Sequence, residues 1–151
     1  MYRNEDSSCF ICRKHVGREE TPPGGYIFEG EYFRVCHAPL DMATSGTLIV
    51  ESRRHFLDYS EMTDAEAREL FETLRKLFPL MKKTSDAPRI YSFATMEYSP
   101  HFHLWLVPRK QDSKLRGTEY LAAKETSSKE DAEEAAEQIR ASLKSTNSSF
   151  Q

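Results

Sequence analysis

Between residues 26 and 50 the apolar and polar positions alternate with a short period. YIFE (Tyr26 to Glu29) follows the turn residues TPPGG and stops at Gly30, and GEYFRVCHAPL then returns. A run, a tight glycine turn and a second run predict a β-hairpin over 26–37. After MATSG, the β-branched run GTLIVE predicts a third strand. From Thr63 to Met81 the period lengthens. Leu70, Phe71, Leu74, Leu77, Phe78 and Met81 recur at three and four residues, which predicts an amphipathic helix with a charged outer face. Thr63 followed by Glu66 offers it a capping box. RIYSFAT from Arg89 and HFHLWLVP ending at Pro108 predict a fourth and a fifth strand. A second helix with an acidic first turn is expected from about Ser128 to Lys144. The result is an α+β fold: an antiparallel five-stranded sheet, read as a meander, with two helices over one face. Neither a repeat nor a linker interrupts it, so 1–151 is expected to be a single domain with its core over about 9–145. Residues 1–8 and 145–151 are expected to be flexible.

Composition narrows the partners. The 151 residues carry a formal charge of -3, with 30% charged and 38% hydrophobic residues, so the chain as a whole offers no basic nucleic-acid footprint. Nothing approaches the roughly 18 apolar residues of a membrane span, and MYRNEDSS lacks the apolar stretch of a signal peptide. A cytoplasmic protein with neither nucleic-acid nor membrane partners is expected. Cys9 and Cys12 form a C-x-x-C pair that suggests metal or redox chemistry in a reducing compartment. Cys36, inside an apolar stretch, reads as a small core residue.

The segment SPHFHLWLVPR carries the densest chemistry. Alternation along a strand puts His101, His103, Trp105 and Val107 on one face and Phe102, Leu104 and Leu106 on the other. At about 3.3 Å per residue the two histidines stand roughly 6.5–7 Å apart. Two uses compete: both rings on one metal ion, or one ring as a nucleophile beside a neighbour with another task. From the residues alone, His15 and His55 are rival third ligands for the C-x-x-C pair, and His103 rivals His101 as the fourth. The bland alternatives are that His101 and His103 are plain polar residues on a half-exposed strand and that Cys9 and Cys12 are unliganded thiols in a packed N-terminal segment.

Taken in order, Cys9-x-x-Cys12, GTLIVESRRH closing at His55, a helix, and His101-x-His103 running into Pro108-Arg109 resemble the histidine triad (HIT) superfamily of nucleotide hydrolases and transferases. That superfamily includes the galactose-1-phosphate uridylyltransferase branch, and the resemblance spans roughly residues 9–109. It implies a HIT-like fold, a structural zinc ion on Cys9, Cys12, His55 and His101, and His103 as the catalytic nucleophile toward the α-phosphate of a nucleotide. Ser99 and nearby backbone amides would meet the phosphate charge. Trp105 would donate to a phosphate oxygen or stack on a base. Base and ribose would lie near Tyr26, Phe28, His37, Ala38, Pro39 and Asp41, with Asp41 a ribose ligand. A dinucleoside polyphosphate or a nucleoside phosphoramidate is the implied type of substrate, and a homodimer the implied assembly. A zinc-stabilised nucleotide-binding module with little catalysis is the alternative. Three positions depart from the hydrolase pattern. Trp105 replaces the third histidine, Thr47 stands where a histidine commonly follows the glycine, and Glu97 and Tyr98 precede Ser99. Ser-Pro-His-x-His is closer to the Asn-Pro-His-x-His of the uridylyltransferases. Arg109 reads as a strand-end charge in water, and His37 as either a supporting donor or an exposed residue.

Overall fold

In the computed structural model residues 6–149 are described, with side chains to residue 146. Strand β1 (Tyr26–Glu29) pairs antiparallel with β2 (Phe33–His37) across the hairpin turn, and β2 pairs with β3 (Leu48–Ser52) over five residues. The turn is held from outside. Glu69, on the helix that follows β3, accepts the backbone N–H groups of Glu31, Tyr32 and Phe33 at 2.8–2.9 Å. A Cβ on Gly30 would stand 2.8 Å from that carboxylate and from the Phe28 ring, so a side chain there would displace one or both. Three donors in the turn thus meet an acceptor on the helix.

That helix, α2, spans Asp64–Thr84, and the Thr63 hydroxyl accepts the Glu66 N–H at its start, as the sequence leads one to expect. Leu70, Leu77 and Met81 are buried, but Phe71 is 63% exposed. At 100° per residue Phe71 falls beside the stripe and not in it. After α2, β4 (Arg89–Phe93) and β5 (His103–Arg109) complete the sheet. The strand order is β1-β2-β3-β5-β4, so only the first three strands form a meander. The chain crosses the helical face through α2, lays β4 at the edge, and returns β5 between β3 and β4.

One face of this sheet is the main core. Phe33, Val35, Leu48, Val50, Leu104 and Leu106 meet Leu70, Leu77 and Met81 of α2, and Ala136, Ile139 and Leu143 of the C-terminal helix. That helix runs Lys129–Ser149, five residues beyond Lys144, so 145–149 continue it instead of trailing free. The expected flexibility of 1–5 and 150–151 falls outside the described residues. Two short helices escape the periodicity reading because six residues make less than two turns: α1 (Phe10–His15) and α3 (Gly117–Ala122). The C-terminal helix is therefore α4. Among the described residues no helix is long and apolar enough to cross a membrane.

Candidate metal centre and active site

The opposite face of the sheet carries the chemistry. Cys9 caps α1, its sulfur accepting the Cys12 N–H at 3.4 Å, so the helix start turns both thiols the same way. His55 and His101 are joined by the backbone. Ser52 N–H donates to the Phe102 carbonyl at 3.1 Å and Phe102 N–H to the Phe56 carbonyl at 2.6 Å, which clamps the two histidine segments together. His101 consequently precedes β5 instead of starting it, and its ring is fully buried.

The four expected ligands converge. His55 Nδ1 and His101 Nδ1 are 3.2 Å apart, Cys9 Sγ is 3.4 Å from His101 Nδ1, and Cys12 Sγ is 3.5 Å from each histidine. The ligand atoms all lie within 4.8 Å of one another. A tetrahedral zinc ion with bonds of about 2.3 Å to sulfur and about 2.05 Å to nitrogen has edges of about 3.3 Å between nitrogens and about 3.6 Å between sulfur and nitrogen. The donor set therefore fits zinc in both chemistry and spacing. His101 Nε2–H donates to the Ser52 carbonyl at 2.6 Å, which leaves Nδ1 as the lone pair facing the sulfurs. Burial holds His101 down to about 4, so its imidazole is neutral and ready to coordinate. Burial also pushes the Cys12 thiol up to about 11, so a cation is needed to draw off its proton. Cys9 and Cys12 are each 6% exposed and His101 is fully buried, so the cluster is largely closed to water.

The rivals are occupied elsewhere. His15 Nε2 lies 3.0 Å from Glu51 Oε1, and Lys14 Nζ lies 2.7 Å from Glu51 Oε2 and 3.1 Å from Cys36 Sγ. Glu51 is 2% exposed. Burial would raise its pKa, but the His15 hydrogen bond and the Lys14 charge overcome that and hold it below the ordinary carboxylate value. This network is absent from the sequence reading, although a lone glutamate inside LIVES was the available signal. It fastens α1 to the sheet beside the metal centre.

His103 lies outside the cluster of Cys9, Cys12, His55 and His101. It faces Glu51 across the β3–β5 pair, and its Nδ1–H donates to the His101 carbonyl at 2.7 Å, leaving the Nε2 lone pair free. The ring borders a cavity of about 350 Å³ together with Ser99, Trp105, Phe93, Tyr98 and Tyr120. Trp105 and Phe93 stack with centroids 5.8 Å apart and planes at 13°. Phe93, Tyr98, Tyr120 and Glu125 are lining residues that the sequence did not mark. They come from the β4 edge, the loop before His101, α3 and the segment after it, which only the strand crossing brings to this face.

Other expectations move. Asp41 lines a neighbouring depression with Lys14, His37 and Leu40, while Met42, Ala43 and Thr44 border the His103 cavity instead. His37 is 1% exposed, with Nδ1–H donating to the Ala38 carbonyl at 2.7 Å and Nε2 accepting the Gly46 N–H at 2.9 Å. Both ring nitrogens are thus used to shape the β2–β3 turn. Arg109 is 8% exposed rather than in water, and its buried Nε has no hydrogen-bond partner. Thr47 is fully buried with its hydroxyl unpartnered, a packing residue.

No family model and no curated protein matches the sequence. Solved structures do. A hypothetical histidine triad nucleotide-binding protein from Sulfolobus tokodaii superposes with a TM-score of 0.72 at 17% identity, covering 91% of this chain and 93% of that one. A zinc-bound histidine triad family protein from Mycobacterium smegmatis gives 0.71 at 21% identity, over 94% and 97%. A uridylyltransferase gives 0.62 at 22% identity, over 91% of this chain and 45% of the larger enzyme. At such identities the likeness is one of fold, and with the buried Cys9, Cys12, His55 and His101 cluster in place, the chain has the histidine triad fold.

Proposed function

We propose that this protein is a nucleotide hydrolase or nucleotidyltransferase that works at the α-phosphate through a covalent nucleotidyl-His103 intermediate. The supporting observation is the division of labour in His101-x-His103. The first ring is turned into the cysteine cluster, and the second is held by a backbone carbonyl with its free nitrogen at the cavity. A neutral imidazole presented this way is a competent nucleophile toward phosphorus. In the first step the His103 Nε2–P bond forms and the bond to the leaving group breaks. Nδ1–H stays on the His101 carbonyl and spreads the positive charge gained by the ring. The Ser99 hydroxyl, at the rim of the same cavity, would donate to a phosphate oxygen. The Trp105–Phe93 stack offers an aromatic face for a base.

Cys9, Cys12, His55 and His101 would hold a zinc ion, which when bound supplies a cross-link between α1 and the sheet. A homodimer is proposed on the exposed edge of β4, which leaves one row of backbone groups unpaired. Trp105 favours a second reading, a nucleotide-binding module with little catalysis, because indole is a donor with no exchangeable proton near neutral pH. Turnover of nucleoside polyphosphates and phosphoramidates, measured beside nucleotide binding for the wild type and His103→Ala, decides between them. Turnover that collapses in His103→Ala supports the enzyme. Tight binding with equal, background turnover in both proteins supports the module.

A further inference from the structure

Arg109 is a buried charge that the chemistry at His103 does not use. It is 8% exposed, its Nε has no hydrogen-bond partner, and among the described residues no carboxylate pairs with its guanidinium. Nor, among those residues, is it seated over an aromatic ring as Arg13, Arg34 and Arg54 are. A guanidinium does not shed its proton in a protein, so burial leaves a full positive charge without compensation. The neighbourhood adds charge of the same sign. Arg89 of β4 stands directly opposite Arg109 in the β4–β5 register. That places their Cβ atoms about 4.5–5.5 Å apart on one face of the sheet, where like charges destabilise the pairing. Arg89 is exposed, and its Nη1 donates to the adjacent Pro88 carbonyl at 3.0 Å. Tyr91 and Val107 share this face by alternation, and α3 lies across it. The Tyr91 hydroxyl accepts the Gly117 N–H at 2.8 Å. The Tyr120 hydroxyl reaches the backbone on both sides of Arg109, donating to the Pro108 carbonyl at 2.7 Å and accepting the Lys110 N–H at 3.2 Å. Burial raises the pKa of that hydroxyl and the Arg109 charge acts against the rise, which puts the guanidinium on the α3 side. His103, at the other end of β5, is about 20 Å away at 3.3 Å per residue.

We infer that Arg109 and Arg89 form an anion site at the end of the sheet beneath α3, and that its ligand is a doubly charged phosphate group. Charge selects the ligand. Two guanidinium groups are offset by a dianion, whereas a carboxylate or a chloride ion leaves one of them uncompensated. A phosphate also carries enough oxygens to accept from two arginine forks at once. The buried Arg109 supplies the desolvated contact, in which a charged hydrogen bond is strongest, and Arg89 closes the site from the solvent side. Bound there, the phosphate ties β4 to β5 under α3, whose Tyr120 and Leu121 also line the His103 cavity. The site stands apart from the proposed nucleophile, so the inference does not depend on the reaction at His103.

The test titrates the intact chain with inorganic phosphate at about pH 7.5, where the phosphate is mostly dianionic, and at constant ionic strength. The Arg109 Nε–H resonance, assigned from its own side-chain spin system, is followed by NMR, with acetate as the monoanion control. The expected result is a saturable shift with phosphate and little change with acetate, accompanied by a rise in Tm. Arg89→Met, at an exposed position where folding is not at stake, should raise the phosphate Kd by about tenfold or more. His103→Ala should leave that Kd unchanged. In phosphate-free buffer Arg109→Met should be at least as stable as the wild type, because it removes an uncompensated buried charge, and added phosphate should stabilise the wild type alone. A resonance that does not respond saturably to phosphate overturns the inference, as does an Arg89→Met Kd equal to that of the wild type. Binding lost in His103→Ala would move the phosphate to the other cavity and overturn it as well. A shift that follows protein concentration and ignores phosphate would overturn it in favour of a carboxylate from a second copy of the chain.

Discussion

Glu51 anchors α1, and its removal gives a quantitative test of how the site is held. The carboxylate is 2% exposed and takes Lys14 at 2.7 Å and His15 at 3.0 Å, while the Lys14 side chain is itself only 10% exposed. Replacing Glu51 by Leu leaves a buried ammonium with no carboxylate, a situation that costs about 3–5 kcal/mol. For a chain of this size each kcal/mol lowers Tm by about 2–4 °C, so a fall of roughly 6–20 °C is expected. Replacing the pair together, Glu51→Leu with Lys14→Met, removes both charges and should be milder than Glu51→Leu alone. Urea unfolding at fixed zinc concentration, run as a double-mutant cycle, gives the coupling directly. The expected coupling is about 2 kcal/mol or more. Single substitutions each costing under about 1 kcal/mol and adding independently would refute the view that this ion pair clamps α1 to the sheet.

The metal centre predicts about one zinc per chain, lost in His101→Ala and Cys12→Ser but retained in His15→Ala and His103→Ala; elemental analysis of purified proteins checks this, and retention in His101→Ala would contradict the ligand set. Chelation should lower Tm as well, read by differential scanning calorimetry. For His37, burial holds the folded-state pKa below the ordinary value. The neutral form is thus favoured in the fold, and the stability it brings is present above about pH 6.5 and lost as pH falls toward the folded value. Urea midpoints from pH 7.5 down to 5 should therefore fall less in His37→Asn than in the wild type, and parallel curves would count against it. On α2, Leu70→Ala should cost about 2–5 kcal/mol and the adjacent Phe71→Ala under about 0.5 kcal/mol by denaturant unfolding. A reversal would mean that the helix packs by another face.

The elements that bury a regular stripe were readable: β1, β2, β3, β5, α2 and α4 each repeat an apolar spacing against one core. The crossing that places β5 inside β4 leaves no local trace, because either strand could pair with β3 by its own pattern. The C-x-x-C pair and the histidines signalled a metal, but only the backbone pairing of Ser52, Phe56 and Phe102 shows why His55, and not His15, reaches it. His37 and Arg109 show the opposite limit. The sequence left His37 open between a supporting donor and an exposed residue and read Arg109 as a charge in water, whereas the fold buries both and uses each His37 ring nitrogen in a turn. The aromatic wall of the cavity was illegible for a plain reason, since Phe93, Tyr98 and Tyr120 are scattered over three elements that only tertiary structure gathers.

As the proposed nucleophile, His103 is expected to carry the nucleotidyl group. Rapid acid-free quenching of the protein with each nucleoside triphosphate, followed by intact mass spectrometry and peptide mapping, tests it most directly. The expected result is a mass increase of one nucleoside monophosphate, located on His103 and absent from His103→Ala. An adduct on another residue, an adduct that survives in His103→Ala, or His103-dependent turnover that never accumulates or traps an adduct under single-turnover conditions would contradict it.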